Sequence, residues 1–353
     1  MRFINVSNFS TLRLKNCFTN DVIIKVTNGL IRNGHEVINY SDRDMLRFLS
    51  PNKFLKSIGH KNLQKHFIDF CVRSKPDAIL LCHADTITAD TLKKVRELLP
   101  AVKILQYNLD IIRPGSKEPD ANILKLKSKL DVVDATLITT GEKQLLDQFR
   151  TSKGYVGFLP NPVDKSLESA HSYENEKTEY DLMFGATASS REFCGKMTPC
   201  VDVIKMVEEG VEGLNVKVFG LNKQNKIEGP DYQNLHAQCA MGFNFSRIND
   251  CYLYSSDRMA HIMGNGLLCV MQEQSGFKDI FNDDEVCFYK DEKELLEKLA
   301  FYKNNPAERM RVAKNGHDKY VKLFNEQLTA KYICDVLFGE INKDDYVWTN
   351  LVK

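Results

Sequence analysis

The stretch Ser255–Val270, SSDRMAHIMGNGLLCV, decides how this chain is read. Two hydroxyl residues precede a short amphipathic segment, a Gly264-Asn265-Gly266 break follows, and an apolar run from Leu267 closes it. That is one helix–turn–strand step of an α/β domain. Ser255 and Ser256 stand where a helix needs a side-chain acceptor for its first free amides, and where those amides and the macrodipole favour an anion. Asp257, His261 and Asn265 recur every four residues and form one polar stripe. Arg258 borders that stripe, and Met259, Ile262 and Met263 form the opposite, core-facing side. Gly264 and Gly266 end the helix and let it approach the strand closely. A capped helix with a solvated polar face competes with a ligand-binding reading of the same residues.

On either side of this step, strand and helix patterns alternate. Arg2–Ser7, Glu36–Tyr40, the run AILLCHAD from Ala78, VKILQYNLD from Val102, Ala135–Thr140 and Tyr155–Leu159 read as strands; Cys17–Asn33, Lys61–Arg73 and Thr91–Leu99 read as helices. A second series follows, with strands at DLMFGA, NVKVFG, MGFNFS and EVCFY and helices between and after them. Continuous apolar runs separated by helices predict parallel sheets covered on both faces. The Pro160-Asn161-Pro162 step and the polar run His171–Tyr180 suggest an interdomain linker. The expected organisation is an α/β N-terminal Rossmann-like domain over 1–160, a linker over 161–180, a second Rossmann-like domain over 181–325, and a crossing helix with a tail over 326–353. A hinge is expected near Asn161 and Pro162. The tail, with the only tryptophan, Trp348, reads as a surface extension.

Composition excludes several classes. With 48 basic and 47 acidic residues, the net charge of +1 gives no footprint for nucleic acid. The cysteines form no C-x-x-C pair and sit in apolar runs, as in Cys71, Cys82, Cys269 and Cys287, so they read as reduced core residues of a cytoplasmic protein. The N-terminal MRFINVSNF is too short and polar for a signal peptide, and no run of about 18 apolar residues predicts a membrane span. One local feature departs from this balance. Arg32, Arg43, Arg47, Lys53, Lys56, Lys61 and Lys65 make a basic region with apolar residues at Phe54 and Leu55. A solvated surface is its plain reading; peripheral contact with an anionic membrane face is the sharper one. The Ser41–Asp44 run SDRD reads as a loop with local salt bridges to Arg43 or Arg47.

Open α/β sheets bind ligands at the carboxyl ends of their strands. In the first domain those positions hold Ser7, Asn8, His83, Asp85, Asn108 and Asp110; in the second they hold Gly185, Ala186, Thr187, Gly220, Ser246 and Arg247. Asp85 and Asp110 are candidates for acid–base work, against the alternative that each caps a loop or helix. His83 precedes Asp85 by two, which in a strand places both on one face.

These residues carry a family resemblance. RMAHIMGNGLL from Arg258, the long run FKDIFNDDEVCFYKDEKELL from Phe277, FLPNPVD from Phe158 and YDLMFGA from Tyr180 resemble the GT-B glycosyltransferases, especially the CgeB-like group. The resemblance implies a GT-B fold with an interdomain cleft. It implies transfer of a sugar from a nucleotide-activated donor to a cell-envelope glycan or glycolipid acceptor such as lipopolysaccharide. No metal or cofactor is expected beyond the sugar nucleotide. Donor binding falls to Gly185, Arg247, Ser255, Ser256, Asp257, Arg258, His261, Gly264, Asn265 and Gly266, and catalysis to His83, Asp85 and Asp110. The group has a ribose-binding glutamate where this chain has His261. The run YLYSSDRMAHIMGNGLL also resembles the β-Kdo-transferase-like branch, whose CMP-Kdo donor would suit Arg247, Arg258 and a phosphate-binding His261. A nucleotide-sugar hydrolase or epimerase and a non-catalytic two-domain ligand sensor stand as alternatives.

Overall fold

The computed structural model describes residues 1–10, 22–52, 55–115, 117–186, 190–221, 225–339 and 341–351. Cys17, Lys53, Phe54 and Thr187, singled out above, lie outside them. The chain divides into two compact units, residues 1–160 with 326–353, and residues 161–325.

In the first unit the strands are β1 (Arg2–Ser7), β2 (Glu36–Ser41), β3 (Ala78–Cys82), β4 (Lys103–Asn108), β5 (Ala135–Ile138) and β6 (Tyr155–Phe158). Its helices are α1 (Val22–Arg32), α2 (Asp42–Leu49), α3 (Lys56–Ser74), α4 (Ala89–Leu98), α5 (Lys117–Lys127), α6 (Lys143–Asp147) and α12 (Glu326–Phe338). The sheet runs β2-β1-β3-β4-β5-β6, and every pairing is parallel. Chain order reverses between β1 and β3, which makes their carboxyl ends the natural crevice. The second unit holds β7 (Tyr180–Gly185), β8 (Ser190–Phe193), β9 (Lys196–Pro199), β10 (Val216–Phe219), β11 (Cys239–Phe243), β12 (Leu268–Gln272) and β13 (Cys287–Tyr289). Its helices are α7 (Cys200–Gly210), α8 (Pro230–Ala237), α9 (Asp257–Gly264), α10 (Glu292–Asn304) and α11 (Pro306–Phe324). Its parallel sheet runs β10-β7-β11-β12-β13, so the reversal lies between β7 and β11.

Four features differ from the sequence expectation. SDRD opens α2 instead of forming a loop: Asp42 accepts from the Thr86 hydroxyl at 2.6 Å and Asp44 from the Ser41 hydroxyl at 2.6 Å. Those bonds let two carboxylates enter the first turn, where the macrodipole favours them. The antiparallel hairpin β8–β9 was not anticipated. Its two-residue turn, Cys194-Gly195, has both residues at positive φ, as tight hairpins require. Residues 161–180 are not a free linker; Asn161, Asp164 and Glu168 are buried within the second unit. The tail is not a surface extension either. Trp348 is fully buried, its ring 5.5 Å from Tyr332 and 5.3 Å from Tyr346.

Glycine lets α1 receive α12. A Cβ on Gly29 would stand 2.0 Å from the Glu326 carbonyl oxygen and 3.0 Å from the Ala330 Cβ. Arg32 pairs with Glu326 beside that contact. Gly29→Ala therefore sets two terms against each other. Helix propensity gains about 1 kcal/mol, whereas overpacking against backbone costs about 1–3 kcal/mol. We expect a net loss of stability in the first unit, read as a lower urea midpoint and an earlier red shift of Trp348 emission. An unchanged or higher midpoint would show that α12 does not depend on this close approach.

Candidate donor and acid–base sites

In the second unit, polar groups converge at the carboxyl ends of β7 and β11. Arg258, second residue of α9, donates from Nε and one terminal nitrogen to the Gly185 carbonyl at 3.1 and 2.9 Å. Its other terminal nitrogen reaches the Phe245 carbonyl at 3.3 Å. Arg191, on β8, donates to the same Phe245 oxygen at 3.0 Å. Both guanidinium groups lie over the Phe184 ring, at 5.9 and 5.8 Å from its centroid. Phe184 in turn packs on Phe243 and Phe245. Burial, then repulsion from Arg258 and Arg247, pulls the Arg191 guanidinium down to about 9; burial also lowers Arg258. Arg191 Nε and the buried Ser246 hydroxyl have no hydrogen-bond partner among the described residues. Orphaned buried groups of this kind cost about 1–3 kcal/mol each, and an anion at the strand ends would relieve both the orphaning and the repulsion.

The rest of the expected donor stripe is turned elsewhere. Ser256 caps α9 through the Met259 amide at 3.3 Å and donates to Asn244 Oδ1 at 2.9 Å. Ser255 binds Asn161, its hydroxyl accepting from the backbone amide at 2.9 Å and its carbonyl from Nδ2 at 2.8 Å. His261 is held on both nitrogens: Nδ1 is 2.8 Å from Glu168 Oε1 and Nε2 is 2.9 Å from Asp257 Oδ2. A carboxylate only accepts, so either both ring nitrogens carry protons or one carboxyl does. The phosphate role expected of His261 gives way to a buried bridge between two acids. Asn265 accepts from the Ala170 amide at 3.2 Å and donates to the His261 carbonyl at 2.9 Å. Gly264 and Gly266 leave room for Val163, Glu168 and Tyr173, not for a ligand. The carboxyl half of α9 is thus covered by residues 163–173, while Asp257, Arg258, Gly185, Arg247 and Ser246 remain with the strand ends. Sequence reasoning missed Arg191. The tight Cys194-Gly195 turn was the available signal for the hairpin that delivers it.

In the first unit, His83 follows β3 at φ 51°, so the strand's alternation ends before it. The expected pairing with Asp85 on one face does not form. The Leu109 amide faces His83 Nε2 at 3.3 Å. Nδ1 lies 3.8 Å from Asp110 Oδ2 and 3.3 Å from the Asn108 amide. Asp85 instead receives Arg43 at 3.1 Å and Lys125 at 2.9 Å. The Asp110 side chain is 52% exposed. The structure therefore joins His83 to Asp110 across two strand ends and gives Asp85 to two cations. No group of three or more His, Cys, Asp or Glu side chains among the described residues could hold a metal ion.

Burial lowers His83 below its usual 6.5, against the opposing pull of Asp110 and Asp85. Its neutral form therefore stabilises the first unit fully above about pH 6.5. That contribution is lost as pH falls from there through the lower folded value, because the unfolded chain takes up the proton first. We expect the urea midpoint followed by Trp348 emission to fall between pH 7.5 and 5.5, and His83→Gln to flatten that fall. His35, lowered by burial as well, leaves a residual slope. An unchanged slope in His83→Gln would contradict the buried neutral assignment.

Residues 201–335 match the glycosyl transferase-like family. No curated protein matches the chain at a significant level. Among solved structures, Anabaena HepE in complex with UDP aligns with a TM-score of 0.59 at 11% identity, over 95% of this chain and 99% of that one. AviGT4, a glycosyltransferase of avilamycin A biosynthesis, aligns with a TM-score of 0.55 at 9% identity, over 95% and 96%. A UDP-N-acetylglucosamine 2-epimerase aligns with a TM-score of 0.52 at 10% identity, over 95% of each chain. The chain has the GT-B fold, and its residues 201–335 are similar to the glycosyl transferase-like family.

Proposed function

We propose that the protein transfers a sugar from a nucleotide-activated donor to a glycan or glycolipid acceptor. The observation that carries this reading is the pair of guanidinium groups, Arg191 and Arg258, sharing the Phe245 carbonyl at the β7/β11 reversal. Glycosyl transfer from such a donor leaves negative charge on the departing phosphate, and fixed cations at that point stabilise it. Arg247 adds a third cation near Arg191. Three cations suit a diphosphate leaving group, and UDP is bound by HepE. The CMP-Kdo reading keeps Arg247 and Arg258 but loses His261, so a nucleoside diphosphate sugar is the favoured donor. Asp257, fixed by His261, offers a carboxylate for ribose hydroxyls one helical turn before the position where the CgeB-like group has glutamate. The proposal assigns the leaving charge to guanidinium groups and invokes no metal step.

For the acceptor hydroxyl, Asp110 is the proposed general base. Its side chain is half-exposed, and His83 Nδ1 lies 3.8 Å from its Oδ2. Asp85 holds Arg43 and Lys125 in place. Positioned proton transfer contributes about 10²–10⁴-fold, so Asp110→Asn should lower turnover at least about 100-fold in folded protein, with a smaller loss in Asp85→Asn. Near-normal turnover in Asp110→Asn would remove the base assignment.

Because the fold is shared with a 2-epimerase, product analysis separates the readings: a glycoside formed only with acceptor, against free sugar or epimer without it. Calorimetry with UDP, GDP and CMP, with and without magnesium, tests the donor. Charge-assisted bonds are worth about 1.5–3 kcal/mol, so Arg191→Ala and Arg247→Ala should each weaken the best nucleotide about tenfold or more. A preference for CMP would restore the Kdo-type donor. Absence of nucleotide binding at millimolar concentration would overturn the transferase reading in favour of a ligand sensor.

A further inference from the structure

We propose that the end of α2 and the start of α3 form a docking surface for an anionic lipid bilayer. Phe48, at the end of α2, is 75% exposed, more than any other large hydrophobic side chain among the described residues. Leu55 and Ile58, at the start of α3, are exposed beside it in sequence. Arg47, Lys56, Lys61 and Lys65 are exposed over the same stretch, and Ile58, Lys61 and Lys65 share the face of α3 opposite the buried Gly59, Leu63 and Phe67. The only acids between residues 42 and 65 are Asp42 and Asp44, and both are buried. Asp42 takes the Thr86 hydroxyl and Asp44 the Ser41 hydroxyl. The stretch therefore turns its carboxylates inward and its cations and apolar groups outward.

Groups from neighbouring elements do not cancel this charge. Asp85 is engaged with Arg43 and Lys125. Asp44 lies 3.7 Å from Arg47. Asp69, an exposed acid farther along α3, comes one helical turn after Lys65. The chain as a whole is near neutrality, so the excess is local.

The end of α2 and the start of α3 are also held together. Asn62 donates to the Leu49 carbonyl at 3.3 Å. A Cβ on Gly59 would lie 1.9 Å from the Ser50 hydroxyl, so helix and turn are in direct contact. Tyr40 packs on Phe67 and Phe70 beneath. Lysines whose stems lie along apolar surface while their heads reach anionic headgroups, around an aromatic that enters the interface, are the chemistry of peripheral membrane binding. α2 starts directly after β2, so its first turn lies at the carboxyl end of the sheet that also carries His83 and Asp110. The inference does not depend on the donor reading, since it is tested without transfer.

The test is co-sedimentation of the full chain with phosphatidylcholine vesicles, with and without phosphatidylglycerol, at low and high salt. We expect binding to the anionic vesicles that weakens with salt, and little binding to the neutral ones. A surface cation contributes about fivefold to such partitioning, so Lys56→Glu with Lys61→Glu should lower it more than about twentyfold. Phe48→Ser with Ile58→Ser should lower it about tenfold. All four positions are exposed and outside the proposed donor and base sites, so thermal unfolding and nucleotide binding should stay unchanged. Equal binding to neutral vesicles, or anionic binding that survives both double variants, would overturn the proposal. So would loss of a dimer in Phe48→Ser with Ile58→Ser by light scattering, which would assign the patch to a second copy of the chain.

Discussion

Two positively charged side chains share one carbonyl oxygen, and much of the second unit is arranged to tolerate it. Arg191 comes from a hairpin and Arg258 from a helix start, and Phe245 supplies the acceptor for both. In a low-dielectric setting such neighbours repel strongly. The ring of Phe184 beneath them and the carbonyl dipoles of Gly185 and Phe245 offset part of that cost. An anion at this point would relieve the remainder. The helix cap at Ser256 and the hairpin turn at Cys194-Gly195 then read as positioning devices, since each fixes the backbone that presents one guanidinium.

The same logic separates the two ends of α9. Its amino end faces the strand termini and carries the charge. Its carboxyl end is sealed by the segment that follows Asn161, through Glu168, Ala170 and Tyr173. A stripe of residues four apart looked uniform in sequence, yet its two ends meet different surroundings. Asp257 keeps a half-exposed side chain while His261 and Asn265 are consumed by packing.

Much of the architecture was legible because apolar runs such as Ala78–Cys82 and Leu268–Gln272 are buried strands on both faces, and burial is what hydropathy patterns encode. The site was legible only in outline. Strand ends point to Gly185, Arg247 and Asp110, but pairings across the chain are not encoded locally. His83 was assigned to Asp85 by strand alternation, and the left-handed residue at His83 breaks that alternation. Glu168 meets His261 from 93 positions away, with nothing in its neighbourhood to announce it. Residues 161–180 misled because their polarity matches that of a linker, while their few buried side chains decide their place.

The path of the backbone has a consequence for how the molecule is made. The first unit is interrupted at Pro160 and completed only by residues from Glu326 onward. The contact of α1 with α12 at Gly29 therefore closes over nearly the whole length of the chain. At synthesis rates of about 5–20 residues per second, the second unit occupies the ribosome for roughly 10–30 s before α12 emerges. During that interval the six-stranded sheet has all its strands but lacks a covering helix, and the second unit can complete its own sheet first. Protection of the α1 face by chaperones, or a pause in translation before residue 326, would act on this unfinished surface, not on either completed fold.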